Sequence, residues 1–374
     1  MAATPPTPPR WPTDGTTAFA PTTGPDGEPI LALLAKRSYS LQSNGRWAPA
    51  PPVPLRAIDE YFDDGDPQTH TVRLESEMAP FKPSTDFVVV AAAWAPGLRA
   101  APQFDASVAI GPVKKTIRVF GDRRCVFRPG VHPRVTDPEP VAELEMRYER
   151  AYGGIDLKSD PPSIAMYPRN PLGRGYALRN TSASIEGLPL PNFEDPADLL
   201  TPDRIVVGEP ERWPMQPLPQ GFGWFPKIAY PRCSFVGSIP AFLAPGTSLK
   251  EEALGLIPAN QIALAKRFRL PSYDVRFNRG ASLGLAVPFL DGGESVRLTN
   301  LSPDGVLAFA LPREKPRMAL DIGRGPTELP AVMHTACVRV EEGKLDIVWR
   351  GSMEYPGIAW LPEMKKLIPE VVWP

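Results

Sequence analysis

Short runs in which apolar and polar residues alternate dominate the chain. In residues 71–78, Val72, Leu74 and Met78 fall on one side and Arg73, Glu75 and Glu77 on the other, which predicts a half-buried strand. Residues 87–94 are almost wholly apolar and suit a strand buried on both faces. Residues 107–110 and 113–120 follow across Gly111-Pro112; Val113, Ile117 and Val119 share one face, and Lys114, Thr116 and Arg118 the other. Gly121-Asp122-Arg123 turns the chain into a further strand at 124–127. Alternation returns at 143–150, with Leu144, Met146 and Tyr148 opposite Glu143, Glu145, Arg147 and Glu149. Strands are also predicted over 233–239, 295–301, 305–311 and 318–322. Two hairpins stand out. One joins the run from Pro29 to residue 47 through Asn44-Gly45, and the other joins 332–340 to 345–349 through Glu342-Gly343.

Between residues 151 and 220 the periodicity almost vanishes. A segment of that length without repeating elements is functional or disordered in most domains. Here Tyr167, Tyr176, Phe193 and Trp213 need interior places to pack, which predicts order. Helix signals are few. Ser248 with Glu251 makes a capping box for a helix over 249–255, and a second short helix is predicted over 259–268.

Composition explains the scarcity of helices. Of 374 residues 50 are proline, a residue that breaks helix interiors and central ladders but suits turns, edge strands and extended connectors. The pattern predicts an all-β fold: two packed antiparallel β lobes, sandwich- or barrel-like, with long ordered proline-rich loops and a few short helices. Residues 1–16 read as a proline-rich tail and 17–374 as the β-rich domain, its lobes dividing near 200–220.

A net charge of −1 gives no basic excess for nucleic acid, and no basic amphipathic helix or long apolar run points to a membrane. The start of the chain fits no signal peptide, and Cys125, Cys233 and Cys337 are odd in number and far apart, so a reducing cytoplasmic setting is expected. Asn180-Thr181-Ser182 and Asn300-Leu301-Ser302 match the glycosylation pattern without a secretion signal to give it meaning. His70, His132 and His334 stand far apart from one another, so neither a metal site nor a cofactor is expected. Walker and dinucleotide motifs are missing, and no catalytic residue is assigned.

The most distinctive stretch runs over residues 145–176. YERAYGG ends the alternating segment, and RNPLGRGY follows after a polar interruption. Arg147, Arg150, Arg169 and Arg174 bracket an irregular loop. Arginine forks can staple such a loop through its carbonyls, or present a partner-binding surface beside tyrosines. The surface reading nominates Tyr152, Arg169, Asn170, Arg174 and Tyr176, with Phe222 and Trp224 as second choices. The staple reading assigns structural roles to Glu149, Arg150, Gly153, Gly154, Pro171 and Gly173. Two rivals remain open: a hydrolase on a β scaffold using a carboxylate near Glu149 or Asp156, and a carbohydrate-binding module with Trp47 and Trp224 as its platform.

Five blocks in order carry a family resemblance: Gly121-Asp122-Arg123; YERAYGG; RNPLGRGY; Leu190-Pro191-Asn192-Phe193-Glu194; and Gly221-Phe222-Gly223. With the later Gly293-Glu294 and Leu298-Thr299-Asn300-Leu301, they closely resemble the domain-of-unknown-function (DUF) 2169 family over most of the chain. The chain departs from the family pattern after Pro240, where a helical insertion at 248–268 replaces an expected tryptophan-rich segment. The resemblance implies a role in bacterial type VI secretion. The chain would be a non-enzymatic cytoplasmic adaptor or chaperone that binds an effector with a PAAR-like tip domain and helps load it onto the spike protein.

Overall fold

The computed structural model describes residues 14–23, 29–43, 45–127, 132–158, 165–178, 185–236, 275–354 and 367–374. The tail over residues 1–13, Asn44, the Asn180 sequon and both expected helices between 249 and 268 lie outside them. In chain order the principal strands are β1 (Thr17–Thr23), β2 (Pro29–Leu41), β3 (Trp47–Pro49), β4 (Thr85–Val90), β5 (Gln103–Ile110) and β6 (Val113–Phe120). They continue as β7 (Phe193–Glu194), β8 (Ala286–Val287), β9 (Ser295–Thr299), β10 (Val306–Ala310) and β11 (Arg317–Asp321). The last are β12 (Pro326–Leu329), β13 (Val332–Arg339), β14 (Lys344–Glu354) and β15 (Ile368–Val372).

The fold is all-β. The largest sheet runs β1-β2-β14-β13-β4-β8, with β3 also paired to β2. A second sheet runs β7-β6-β5-β9-β10 and a third β12-β11-β15. These sheets are open rather than closed into barrels. Both expected hairpins form: Leu41 pairs with Trp47, and Arg339 with Lys344. Pairing is mostly antiparallel, as expected, but β13 and β4 are parallel, with Thr335 opposite Asp86 and Arg339 opposite Val90. Strands so far apart in sequence need no tight hairpin, so either direction is open to them.

Three further expectations are corrected. The strand predicted over 71–78 is only Val72–Leu74, and the one over 143–150 stops at Glu145 and continues as a 3-10 turn, Tyr148–Arg150. Around Cys233 there is a 3-10 turn, Arg232–Val236, in place of a strand. The short helices among the named elements are all 3-10 turns, as proline density favours.

The main core lies between the sheets. Leu31, Leu33, Ala35 and Tyr39 of β2 face it with Phe87 and Val89 of β4, Ala336 and Val338 of β13, and Leu345, Ile347 and Trp349 of β14. Ile117, Val119, Val296 and Leu298 of the second sheet close it. A second cluster gathers Cys125, Tyr152, Tyr167, Tyr176, Leu190, Ile205 and Trp213. In chain order this cluster ends at Trp213, and Phe222 and Trp224 beyond it belong to the main core.

The opposite face of the largest sheet is also buried, and beside the apolar Ala32, Leu34 and Val348 it carries polar groups. Lys36 reaches Glu77 at 2.8 Å, and Ser38 donates to Asp346 at 2.5 Å. Lys82 pairs with Asp86 at 2.6 Å. Arg232 donates from Nη1 to Glu75 at 2.7 Å and to the Phe225 carbonyl at 2.7 Å. Glu75 and Glu77, expected on a solvated strand face, are therefore interior; their carboxylates hold cations from other segments. Burial works against the Arg232 charge, but Glu75 outweighs it and keeps the guanidinium above its ordinary range.

Removing one partner of such a pair leaves a buried charge without compensation. Glu75→Leu is expected to destabilise the protein by about 3–5 kcal/mol in urea unfolding, while Asp291→Ala, at an exposed pair with Lys315, changes stability little. Equal effects for the two variants would overturn this assignment.

Candidate functional site

The YERAYGG and RNPLGRGY blocks fold against each other. Tyr152–Gly153 pairs in parallel with Arg174–Gly175. Arg174 N–H donates to the Ala151 carbonyl at 3.0 Å, Tyr176 N–H to Gly153 at 3.0 Å, and Gly154 N–H to Asn170 at 2.9 Å. Residues 170–173 make a turn with Pro171 in its second position, where its fixed φ fits; Gly173 N–H returns to the Asn170 carbonyl at 3.3 Å. The contact is too close for side chains. A Cβ on Gly153, whose φ is 148°, would stand 2.1 Å from the Asn170 carbonyl oxygen, and one on Gly173 would stand 2.6 Å from that of Ala151. Asn170 locks the joint, its amide donating to the carbonyls of Tyr148 at 2.8 Å and Tyr152 at 3.1 Å.

This geometry decides between the readings of the stretch. Tyr152, Asn170 and Tyr176 are buried, and Tyr167 packs on both tyrosines, with ring centroids 5.0 and 5.6 Å away, and on Trp213 at 6.1 Å. Phe222 and Trp224 belong to the main core. These five residues are interior rather than a partner surface, because the irregular segment spends its aromatic rings on a core of its own. Arg169 and Arg174 are half-buried. Arg169 donates to the Pro214 carbonyl at 3.0 Å and lies over Trp213; Arg174 donates to the Glu149 carbonyl at 2.9 Å. Arg150 and Arg174 both approach Asp122 at 3.9 Å. The arginines staple the loop.

The carboxylates nominated for hydrolysis are engaged. Glu149 accepts the Thr71 N–H at 2.7 Å and the Thr71 hydroxyl, and Asp156 accepts the N–H groups of Lys158 at 3.0 Å and Leu178 at 3.1 Å. Trp224 is buried and Trp47 stands edge-on to Phe309 at 5.2 Å, so the two indoles make no exposed platform. Burial raises the Cys125 and Cys233 thiols to about 11, which makes them poor nucleophiles. No cluster of three or more potential metal ligands occurs among the described residues.

Sequence reasoning missed three features. A cleft of about 390 Å³ is lined by Phe62, Arg73, Glu143, Glu145, Arg339 and Glu341. Burial raises the Glu341 carboxyl, and Glu143 and Glu145 add to the effect. In a second cleft Lys115 donates to the Leu283 carbonyl at 2.7 Å, and burial lowers its ammonium to about 7. The third is the edge of the second sheet. Among the described residues β10 pairs only with β9, and its sequence, Val-Leu-Ala-Phe-Ala, carries no charge. Leu311 N–H donates inward to Glu294, so alternation turns the N–H groups of Val306, Ala308 and Ala310 outward. An uncharged run at 306–310 was the available signal, but periodicity alone does not tell an edge strand from a central one.

Asn170→Ala removes the side-chain donor from the Tyr152 carbonyl and leaves the Tyr148 carbonyl only the Ala151 N–H, and is expected to cost about 1–3 kcal/mol in denaturant unfolding. A second consequence concerns pH. Burial raises the phenols of Tyr152 and Tyr176 above their ordinary value of 10.0, and that of Tyr167 to about 12. The folded state thus holds these protons more tightly than the unfolded chain, and stability present below pH 10 is lost as pH rises from 10 toward the folded values. Thermal unfolding between pH 9 and 12 should show this fall, and Tyr167→Phe should reduce its slope.

No curated protein and no solved structure matches the chain. One family model does, over residues 26–350: an uncharacterized protein conserved in bacteria, DUF2169. Spanning the joint and most of the largest sheet, that match establishes that the chain belongs to the DUF2169 family.

Proposed function

We propose that the protein is a non-enzymatic cytoplasmic adaptor that binds a type VI secretion effector through its PAAR-like domain and helps load it onto the spike. The reading follows from what its resemblance to DUF2169 proteins implies. The observation that carries it here is how the family blocks are used: their tyrosines, asparagine and glycines close an interior joint, and Glu149, beside them, holds a neighbouring loop. These groups build a stiff scaffold, which is what an adaptor requires. For a partner chain the scaffold offers the β10 edge, whose outward N–H and C=O groups can accept an added strand. Among the described residues no helix is long and apolar enough to cross a membrane.

The test is co-purification with a PAAR-like effector from the same genome. Ala308→Pro removes an outward N–H without breaking a ladder bond, and is expected to reduce capture at least tenfold while leaving thermal stability near that of the wild type. Full capture by the folded variant would exclude the β10 edge as the contact. Failure of the wild-type protein to retain any such effector would exclude the adaptor reading.

A further inference from the structure

Arg350 differs from every other buried cation on the polar face of the largest sheet. Alternation along β14 puts it on the same face as Asp346 and Val348, and its neighbours in register are Leu34 of β2 and Val332 of β13. Only 5% of its surface is exposed. Lys36, Lys82, Arg232 and Arg339 on this face each hold a carboxylate. Among the described residues Arg350 holds none: its Nε and Nη1 are buried and donate to no acceptor there. What fixes it is Phe81, whose ring lies 4.2 Å from the guanidinium carbon. Burial alone lowers its guanidinium to about 10, with no carboxylate to offset it.

A second buried polar atom of this neighbourhood without a partner among the described residues is Nε2 of His334, in the bulge of β13. His334 is fully buried, and desolvation, with Lys82 and Arg350 adding to it, keeps its ring neutral. Phe81 is itself anchored, its carbonyl accepting from Asn278 at 2.6 Å. A cation in this setting costs stability unless an anion joins it. A guanidinium has two forked edges, Nε with Nη2 and Nη1 with Nη2, and each edge here includes a buried donor without an acceptor. A planar carboxylate matches either edge with two parallel hydrogen bonds.

We propose that Arg350, braced by Phe81, is a receptor for a carboxylate anion. A free small acid and an aspartate or glutamate side chain of a bound chain present the same group. Recognition needs no covalent step: the anion exchanges hydration for the guanidinium fork and cancels the buried charge.

The experiment is thermal unfolding of the full chain in sodium acetate against sodium chloride at matched ionic strength. Wild-type protein is expected to gain stability progressively with acetate, as binding to the folded state alone requires, and Arg350→Met is not. In chloride Arg350→Met should unfold at the wild-type temperature or above it, because an apolar chain replaces an uncompensated charge. A guanidinium with an internal acceptor behaves in the opposite way: Arg350→Met then unfolds at a clearly lower temperature in chloride, and the proposal fails. An equal gain from chloride, or an equal gain in both proteins, also overturns it. Titrating wild-type protein with acetate while following the arginine Nε–H resonances gives a reading independent of any variant; a saturating shift of one resonance is expected, and none overturns the proposal. A blocked peptide with a single glutamate separates the sources. Response to acetate alone assigns a free acid, and response to the peptide as well assigns a chain-borne carboxylate.

Discussion

The largest sheet is buried on both faces, and one of them carries charges. There Lys36 on β2 pairs with Glu77 and Lys82 with Asp86 on β4, and Arg232 is held by Glu75. Charges taken out of water are tolerated only where a partner and further hydrogen bonds replace hydration. Arg232 meets that condition through Glu75, the Phe225 carbonyl and the Phe277 carbonyl. The segment over residues 50–84 crosses this face with little regular structure, and its Glu75, Glu77 and Lys82 hold it there. Such pairs act chiefly through the cost of breaking them: a displaced segment would strand charges in the interior.

The second cluster follows another logic. Its chain has little strand, so its order comes from aromatic packing and from a backbone contact too tight for side chains. Tyr152, Tyr167, Tyr176 and Trp213 supply area, and Gly153, Gly154 and Gly173 let two backbones touch. Buried peptide groups there are paired across the joint by Asn170 and by the parallel rungs. Stiffness of this kind is what the proposed adaptor role would require. It also explains why Arg169 and Arg174 point to carbonyls: an irregular loop has acceptors to satisfy, and guanidinium forks reach them.

Much of the main core could be read from alternation. The 113–120 strand, the 332–349 hairpin and the Asn44-Gly45 turn each follow from period-two patterning with a turn residue between runs. The same rule misled at Glu75 and Glu77, because alternation separates polar from apolar without saying whether the polar side meets water or another charge. It misled again at 143–150, where Tyr148 stays buried although the strand has ended and a 3-10 turn carries it. The site residues fared similarly. Tyrosine and arginine in a proline-rich loop are residue types suited equally to an interface and to an interior joint, and composition cannot separate the two.

By itself the sequence determined an all-β protein with few helices, since proline at this density forbids long ones and the apolar residues recur at strand spacing. It also pointed to restricted backbone in the YERAYGG and RNPLGRGY blocks, because their prolines and glycines restrict or demand particular backbone angles. Only the tertiary structure decided which face of that stretch met solvent, which strands paired in parallel, and which carboxylate met which cation. Those outcomes depend on contacts between residues hundreds of positions apart, such as Ser38 with Asp346, and no local pattern encodes them.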